Sequence, residues 1–147
     1  RDLQGKFRRQ RQMCIRDRGT GWQAGIETAA EIQPVILRIK ERCAELDREI
    51  DEDHFGAGFA VRFGSHNEPI VSKYNEIMRE RLGKDPKEYS AIGDADTMLE
   101  LLKEFHEAGA HKFILRPIAD GHADMIHQTK LLIEELMPRI AKLNNED

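Results

Sequence analysis

Two short strand patterns separated by amphipathic helices constrain the fold of this chain more than any other feature of its sequence. In residues 55–63, apolar side chains alternate with small or polar ones, a period of two that predicts a strand. Residues 112–117 hold three consecutive apolar residues between Lys112 and Arg116, which predicts a strand covered on both faces. Strands separated by helices predict an α/β fold with parallel strands and right-handed crossovers.

The first helix has an ambiguous start. Apolar residues spaced by threes and fours run from Ile32 to Ile50 and predict one buried helix face. Thr28 and Glu31 resemble a capping box, but a helix that began there would contain Pro34, which cannot donate a backbone hydrogen bond. We therefore expect the main helix to begin with Pro34 in its first position.

Three further helices follow from the same spacing, and glycine or proline marks their ends. The second helix is expected to end at Gly83 before a polar loop, and the third to be capped by Asp94 or Asp96. The last helix runs through residues 125–140 and is expected to be kinked or ended by Pro138. A short extra strand is expected between Gly21 and Gly25.

Charge divides the chain near residue 19. Residues 1–18 hold seven basic and two acidic residues, a net charge of +5, and because the whole chain carries -4, the remainder carries -9. A basic arm of this kind can bind nucleic acid, but it contains only Phe7 as an aromatic residue, unlike a single-strand binder. Nucleic-acid binding is therefore the less favoured interpretation of the arm.

The sequence also restricts the cellular compartment. Cys14 and Cys43 form neither a disulfide framework nor a metal-type spacing, which favours a reducing, cytoplasmic location. The basic start lacks the apolar stretch of a secretory signal, and no apolar run is long enough for a membrane helix. The first residue is Arg1 rather than Met, which indicates a fragment or a processed chain.

Five segments of the chain form a recognisable series. The segments are Gly-Thr-Gly-Trp at 19–22, Asp-Glu-Asp-His-Phe-Gly at 51–56, Ile-Gly-Asp-Ala-Asp-Thr at 92–97, Gly-Ala-His-Lys-Phe-Ile-Leu-Arg-Pro at 109–117 and Glu-Glu-Leu-Met-Pro-Arg at 134–139. In this order they resemble the carboxyl-terminal half of the luciferase-like monooxygenases, which are flavin- or F420-dependent oxidoreductases built on a TIM-type (β/α)8 barrel. Because such a barrel takes about 250 residues, the resemblance implies that residues 19–147 form about its last three βα units and that the first five strands are absent.

The opening residues have a separate explanation. Residues 13–18 read Met-Cys-Ile-Arg-Asp-Arg and resemble a string that adaptor read-through leaves at the ends of translated metagenomic fragments. We therefore expect residues 1–18 to be a non-native or disordered basic segment, and residues 19–147 to be the portion of the barrel.

The resemblance implies an activity and its cofactor. It implies transfer of a hydride or of electrons from reduced FMN or from coenzyme F420 to a small organic substrate, in a cytoplasmic protein that is a homo-oligomer at full length. The chain alone is expected to be inactive, because the family's catalytic residues lie mostly in the absent half. No catalytic residue is assigned.

Four residues are candidates for cofactor binding. Gly19, Gly21 and Trp22 are expected near the cofactor phosphate, since glycines allow close approach of the backbone and barrels often bind phosphate at their last strands. Arg116 would stand at the carboxyl end of the last strand, where its planar fork suits a phosphate or carboxylate. The alternatives are a glycine turn with Trp22 as a packing residue, and an ion pair for Arg116.

Other kinds of site and function remain open or are set aside. The six histidines lack the spacing of a zinc helix and the acidic residues near Gly56 fail the calcium-loop pattern, so no metal site is expected.

One alternative function is that of a cofactor-free structural relative that acts by association. The other is a small α/β binding domain with a basic nucleic-acid-binding arm.

Overall fold

The computed structural model describes residues 19–143, which form an open, mostly parallel sheet of four strands with helices between them. The α/β class expected from the sequence is confirmed. The strands are β1 (Trp22–Gln23), β2 (Phe55–Phe63), β3 (Ser90–Gly93) and β4 (Lys112–Pro117), and the helices are α1 (Ala29–Glu45), α2 (Pro69–Leu82), α3 (Ala95–Glu107), α4 (Gly121–Leu131) and α5 (Met137–Leu143), with a π-helical turn at Leu132–Leu136.

Two compact units divide these elements. The first runs to Gly58 and takes in Phe105–Ile114, and the second comprises Phe59–Glu104 and the chain from Leu115 onward. In the first unit, α1 buries one face, and Ile36 on that face contacts Gly109. In the second unit the core packs α2 onto the strands, with Tyr74 and Ile70 at its border. The buried members of these two cores are Ile32, Ile36, Ile39 and Cys43 in α1, and Ala60, Val71, Ile92 and Ile118 in the second unit.

The strand β2 pairs with each of the other three strands. It is parallel to β1, with Trp22 opposite Phe55, and parallel to β3, with Ala60 opposite Ser90. The sequence prediction missed β3 and placed two helices next to each other with only a loop between them. Since β3 reads Ser-Ala-Ile-Gly, it offers one large apolar residue and no alternation, so a periodicity argument cannot detect it.

The glycines of β2 allow neighbouring backbone to approach closely. A Cβ atom on Gly58 would lie 3.1 Å from the carbonyl oxygen of Ile114, and one on Gly56 would lie 3.2 Å from that of Lys112. A Cβ on Gly56 would also collide with the Gln23 side chain. Larger residues here would push the strands apart.

The expectation that β4 is covered on both faces is wrong. Its residues alternate between exposed and half-buried, and Lys112, Ile114 and Arg116 form the exposed face. Ile114 is 51% exposed although its neighbours in sequence are apolar. Among the described residues, this face of β4 is thus open to solvent. The run of three apolar residues therefore belongs to a strand with one exposed face.

The expected start of α1 at Pro34 is also wrong. The helix begins at Ala29 after the N-cap Thr28, and Pro34 lies inside it. Both bonds of the capping box form: the Glu31 N–H donates to the Thr28 hydroxyl at 3.3 Å, and the Thr28 N–H donates to the Glu31 carboxylate at 2.9 Å. Two satisfied donors offset the one backbone hydrogen bond that Pro34 deletes, which decides the start.

The last helix does not end at Pro138. The helical chain runs on to Leu143, and the π-helical turn directly before Met137 provides the local adjustment that an internal proline requires. Much of the apolar surface of this helical segment is open to solvent, since Ile133 is 60% and Met137 54% exposed, whereas Leu136 is fully buried.

Replacement of Thr28 by alanine tests the start of α1. We expect Thr28→Ala to lower the free energy of unfolding by about 1 kcal/mol, because the N-cap hydroxyl bond is lost. Urea denaturation of the chain measures the change. Thr129→Ala is the matched control, because the Thr129 hydroxyl only donates back to the Met125 carbonyl within a helix, and it should change stability by less than about 0.5 kcal/mol. Equal effects of the two substitutions would contradict this account.

Candidate functional site

A shallow pocket of about 340 Å³ lies in the first unit, at the amino ends of β2 and β4. One wall is the continuous segment from Thr20 to Gln23, which leads into and forms β1. The other wall comes from His54, Gly56 and Lys112, which precede or begin the two longer strands. Because the strands are parallel, their first residues meet at the same edge of the sheet.

Two close contacts set the shape of this pocket. The His54 Nδ1–H donates to the carbonyl of Thr20 at 2.7 Å, which holds the imidazole against the incoming chain. A Cβ on Gly21 would lie 2.7 Å from the His54 carbonyl oxygen, so only glycine fits there. The Arg48 guanidinium donates to the Gly19 carbonyl at 2.9 Å and ties down the start of the segment.

The residues that line the pocket carry several hydrogen-bond donor groups. The side chain of Lys112 bears an ammonium, that of Trp22 an indole N–H and that of Thr20 a hydroxyl, and none of the lining residues is Asp or Glu. The Gln23 amide donates weakly to the Ala24 carbonyl at 3.3 Å. The lining of this pocket thus contains no carboxylate side chain, although the chain as a whole is acidic.

The four residues expected to bind a cofactor fall in two places. Gly21 and Trp22 line the pocket and Gly19 lies just before it, so this segment precedes and opens its strand rather than following it. Arg116 belongs to the second unit, where it is exposed near the carboxyl end of β4. Burial raises the pKa of Tyr74, and the nearby charge of Arg116 partly opposes that rise.

Sequence reasoning missed His54, Gln23 and Lys112 as members of the pocket. Each of them stands next to a strand pattern that the sequence did reveal. A search for polar residues at the amino ends of predicted parallel strands would have found His54 and Lys112, but not Gln23, which is the last residue of β1. The functional rule for such sheets directs attention to the carboxyl ends instead.

A buried arginine organises the carboxyl end of β2 in the second unit. The side chain of Arg62 is 9% exposed and is held by charged partners on two sides. Its Nη2 donates to the Glu68 carboxylate at 2.6 Å, and its Nη1 donates to the Asp124 carboxylate at 2.8 Å. The same Nη1 donates to the Ile118 carbonyl at 2.7 Å, so all sides of the guanidinium have partners.

These contacts shift the ionisation of the partners. The hydrogen bonds from Arg62 hold the pKa of Glu68 below its ordinary value, with help from the Ser65 N–H. The pKa of Asp124 is lowered first by the backbone N–H of Asp120 and then by Arg62. The pKa of Arg62 itself is raised, mainly by its hydrogen bonds to Glu68. All three groups therefore remain charged at neutral pH.

The same network fixes the loop that follows β4. Its residue Ile118 accepts from Arg62 and donates its N–H to the Val61 carbonyl at 2.8 Å. Beyond the loop, the Gln128 amide exchanges two hydrogen bonds with the Phe63 backbone, at 2.8 and 3.0 Å, as a neighbouring strand would. The loop over residues 118–121 is thus anchored at both of its ends.

One group of possible metal ligands lies near the pocket. Asp51, Asp53 and His54 each place one ligand atom within 4.8 Å of the others, and all three residues are exposed. Exposed carboxylates commonly cluster in this way without a metal ion, and the His54 Nδ1 is already engaged with Thr20. We assign no metal site to them.

Comparisons with protein-family models and with curated proteins find no match to the chain. Among the helices of residues 19–143, none combines the length and the apolar composition needed to cross a membrane.

The Arg62 network predicts how stability depends on pH. Glu68 and Asp124, with ordinary pKa values of 4.5 and 3.8, have lower pKa values in the folded chain. Their contribution to stability is therefore present above those ordinary values and is lost as the pH falls through the folded values. We expect the urea concentration at the midpoint of unfolding to decrease as the pH is lowered from about 5 to about 3.

Substitution of the arginine tests the origin of that loss. Arg62→Gln should lower the free energy of unfolding at pH 7 by about 2 kcal/mol, less than for a fully buried pair because both carboxylates keep some contact with solvent. It should also flatten the acid dependence. Arg139→Gln, which removes an exposed ion pair with Asp96, is the control and should change neither quantity appreciably. An unchanged acid dependence in Arg62→Gln would contradict this account.

Proposed function

We propose that the chain is the carboxyl-terminal portion of a luciferase-like oxidoreductase that uses reduced flavin or F420. The five ordered segments of the sequence support the proposal first. The alternation of strands and helices along the chain supports it second, because β1, β2 and β4 are each followed by a helix, as the strands of a (β/α)8 barrel are. The pairing of β4 with β2, rather than with β3, departs from the sequential strand order of such a barrel.

The observation that carries the proposal is the open face of β4. This strand is an apolar one, yet Ile114 on that face is 51% exposed between Lys112 and Arg116. In a closed barrel, one face of every strand points into an interior that side chains fill. An apolar side chain presented on an uncovered strand face is what a barrel sheet without its remaining strands would leave.

Arg116 is the residue that we assign to the cofactor. It lies near the carboxyl end of β4, and active sites of such barrels form at the carboxyl ends of the strands. Its guanidinium suits the phosphate of FMN or the phosphate and carboxylates of F420. Gly19, Gly21 and Trp22 were expected to share this role, but their place at the amino end of β1 gives less support to it.

The residues of this chain would position the cofactor rather than react with it. When bound, the reduced flavin or deazaflavin ring supplies the hydride or electrons. Arg62, through Ile118 and Asp124, holds the loop after β4 in place, and that loop directly follows Arg116. We assign no catalytic residue to the chain.

The complete gene tests the proposal. The coding sequence upstream of the Gly19 codon should be recovered from genomic DNA, and the full-length protein titrated with FMN and with F420 by fluorescence. We expect micromolar binding of one of the two, and Arg116→Gln should weaken it by about tenfold because a charge-assisted hydrogen bond to phosphate is lost. Arg38→Gln, an exposed charge on α1, is the control. Binding of neither cofactor would refute the proposal and favour a cofactor-free relative.

The chain by itself should behave differently. Because the remaining strands are needed to complete the cofactor site, we expect the 147-residue chain to bind neither FMN nor F420 measurably in the same titration. A micromolar dissociation constant for the chain alone would contradict this and would favour a small independent α/β binding domain.

A further inference from the structure

We propose that the pocket at the amino ends of β2 and β4 is a binding site for a small oxyanion such as a phosphate or sulfate group. This site does not depend on the proposed oxidoreductase activity. It lies where the strands begin, whereas cofactors of parallel α/β barrels bind where the strands end.

Charge is the first argument. Residues 19–147 carry a net charge of -9, yet the described residues that line the pocket include Lys112 and no Asp or Glu. Among the described residues, no acidic side chain forms an ion pair with Lys112, whereas Lys40, the other described lysine of this unit, pairs with Glu52. A cation without an ionic partner among the described residues attracts anions. An opposing charge is that of Asp53, whose carboxylate lies 3.8 Å from the His54 imidazole, beside the pocket rather than in its lining.

Hydrogen-bonding capacity is the second argument. Trp22 and Thr20 line the same pocket as Lys112, and neither the indole N–H nor the hydroxyl has a hydrogen-bond partner within residues 19–143. Together with Lys112 they offer three kinds of donor to one ligand. A tetrahedral oxyanion, which has only acceptor atoms, matches such a lining better than a cation or an apolar ligand.

Rigidity is the third argument. The His54 imidazole is fixed by its bond to the Thr20 carbonyl, and Gly21 is in close contact with the His54 backbone. Both walls of the pocket are therefore tied to each other in the absence of a ligand. A preformed pocket avoids the cost of ordering on binding.

Trp22 provides a direct probe, because it is the only tryptophan in the chain. We would titrate the full chain with inorganic phosphate and with sulfate at constant ionic strength, with sodium chloride as the balancing salt, and follow the tryptophan fluorescence. We expect a saturable change with a dissociation constant on the order of 1 mM, typical of a site with a single cation. Acetate in a third arm tests whether a planar carboxylate serves as well as a tetrahedral group.

Variants connect the signal with the pocket. Lys112→Gln should raise the dissociation constant about tenfold or more, Lys112→Arg should restore most of the affinity, and Lys103→Gln, an exposed lysine on α3, should have no effect. All variants keep the seven basic residues of positions 1–18, so non-specific binding there is the same in each. A fluorescence change that chloride alone produces, or equal affinity in the wild-type chain and Lys112→Gln, would overturn the proposal. Circular dichroism verifies that each variant is folded.

Discussion

The central strand β2 is the constraint on which the rest of the structure depends. Eight of its nine residues are buried, and β1, β3 and β4 all pair with it. A strand in this position must be apolar on both faces, yet small enough at Gly56 and Gly58 for neighbouring backbone to approach. The alternation of phenylalanine with small residues meets both requirements.

One charged residue, Arg62, lies within this otherwise apolar strand. Arg62 would be costly to bury alone, and it is accommodated because Glu68 and Asp124 approach it from segments that lie 6 and 62 positions away. In satisfying the guanidinium, these segments also order the loop after β4. Because the buried guanidinium of Arg62 requires charged partners, its contacts fix the backbone near the carboxyl end of β4, where Arg116 lies.

The two ends of the strands differ in chemistry. At the amino ends of β2 and β4, Thr20, Trp22 and Lys112 line a shallow pocket, and Lys112 has no ionic partner among the described residues. At the carboxyl end of β2, Arg62 is paired with two carboxylates, those of Glu68 and Asp124. A cofactor-dependent barrel would use the carboxyl ends for its reaction. The amino-end pocket has a different donor set and so calls for a different ligand.

Local pattern alone determined much of this protein: its α/β class, the strands β2 and β4, the ends of α2 and α3 at glycines, and the division of charge near residue 19. Such features depend on periodicity and on single residues, which a linear sequence displays. The structure decided what depends on distant partners. It set the start of α1 at Thr28, the short strand β3, the open face of β4 and the pocket that joins Trp22, His54 and Lys112. The start of α1 depends on a balance between competing hydrogen bonds, and the pocket brings together residues such as Trp22 and Lys112 that lie 90 positions apart. A local sequence pattern contains neither kind of information.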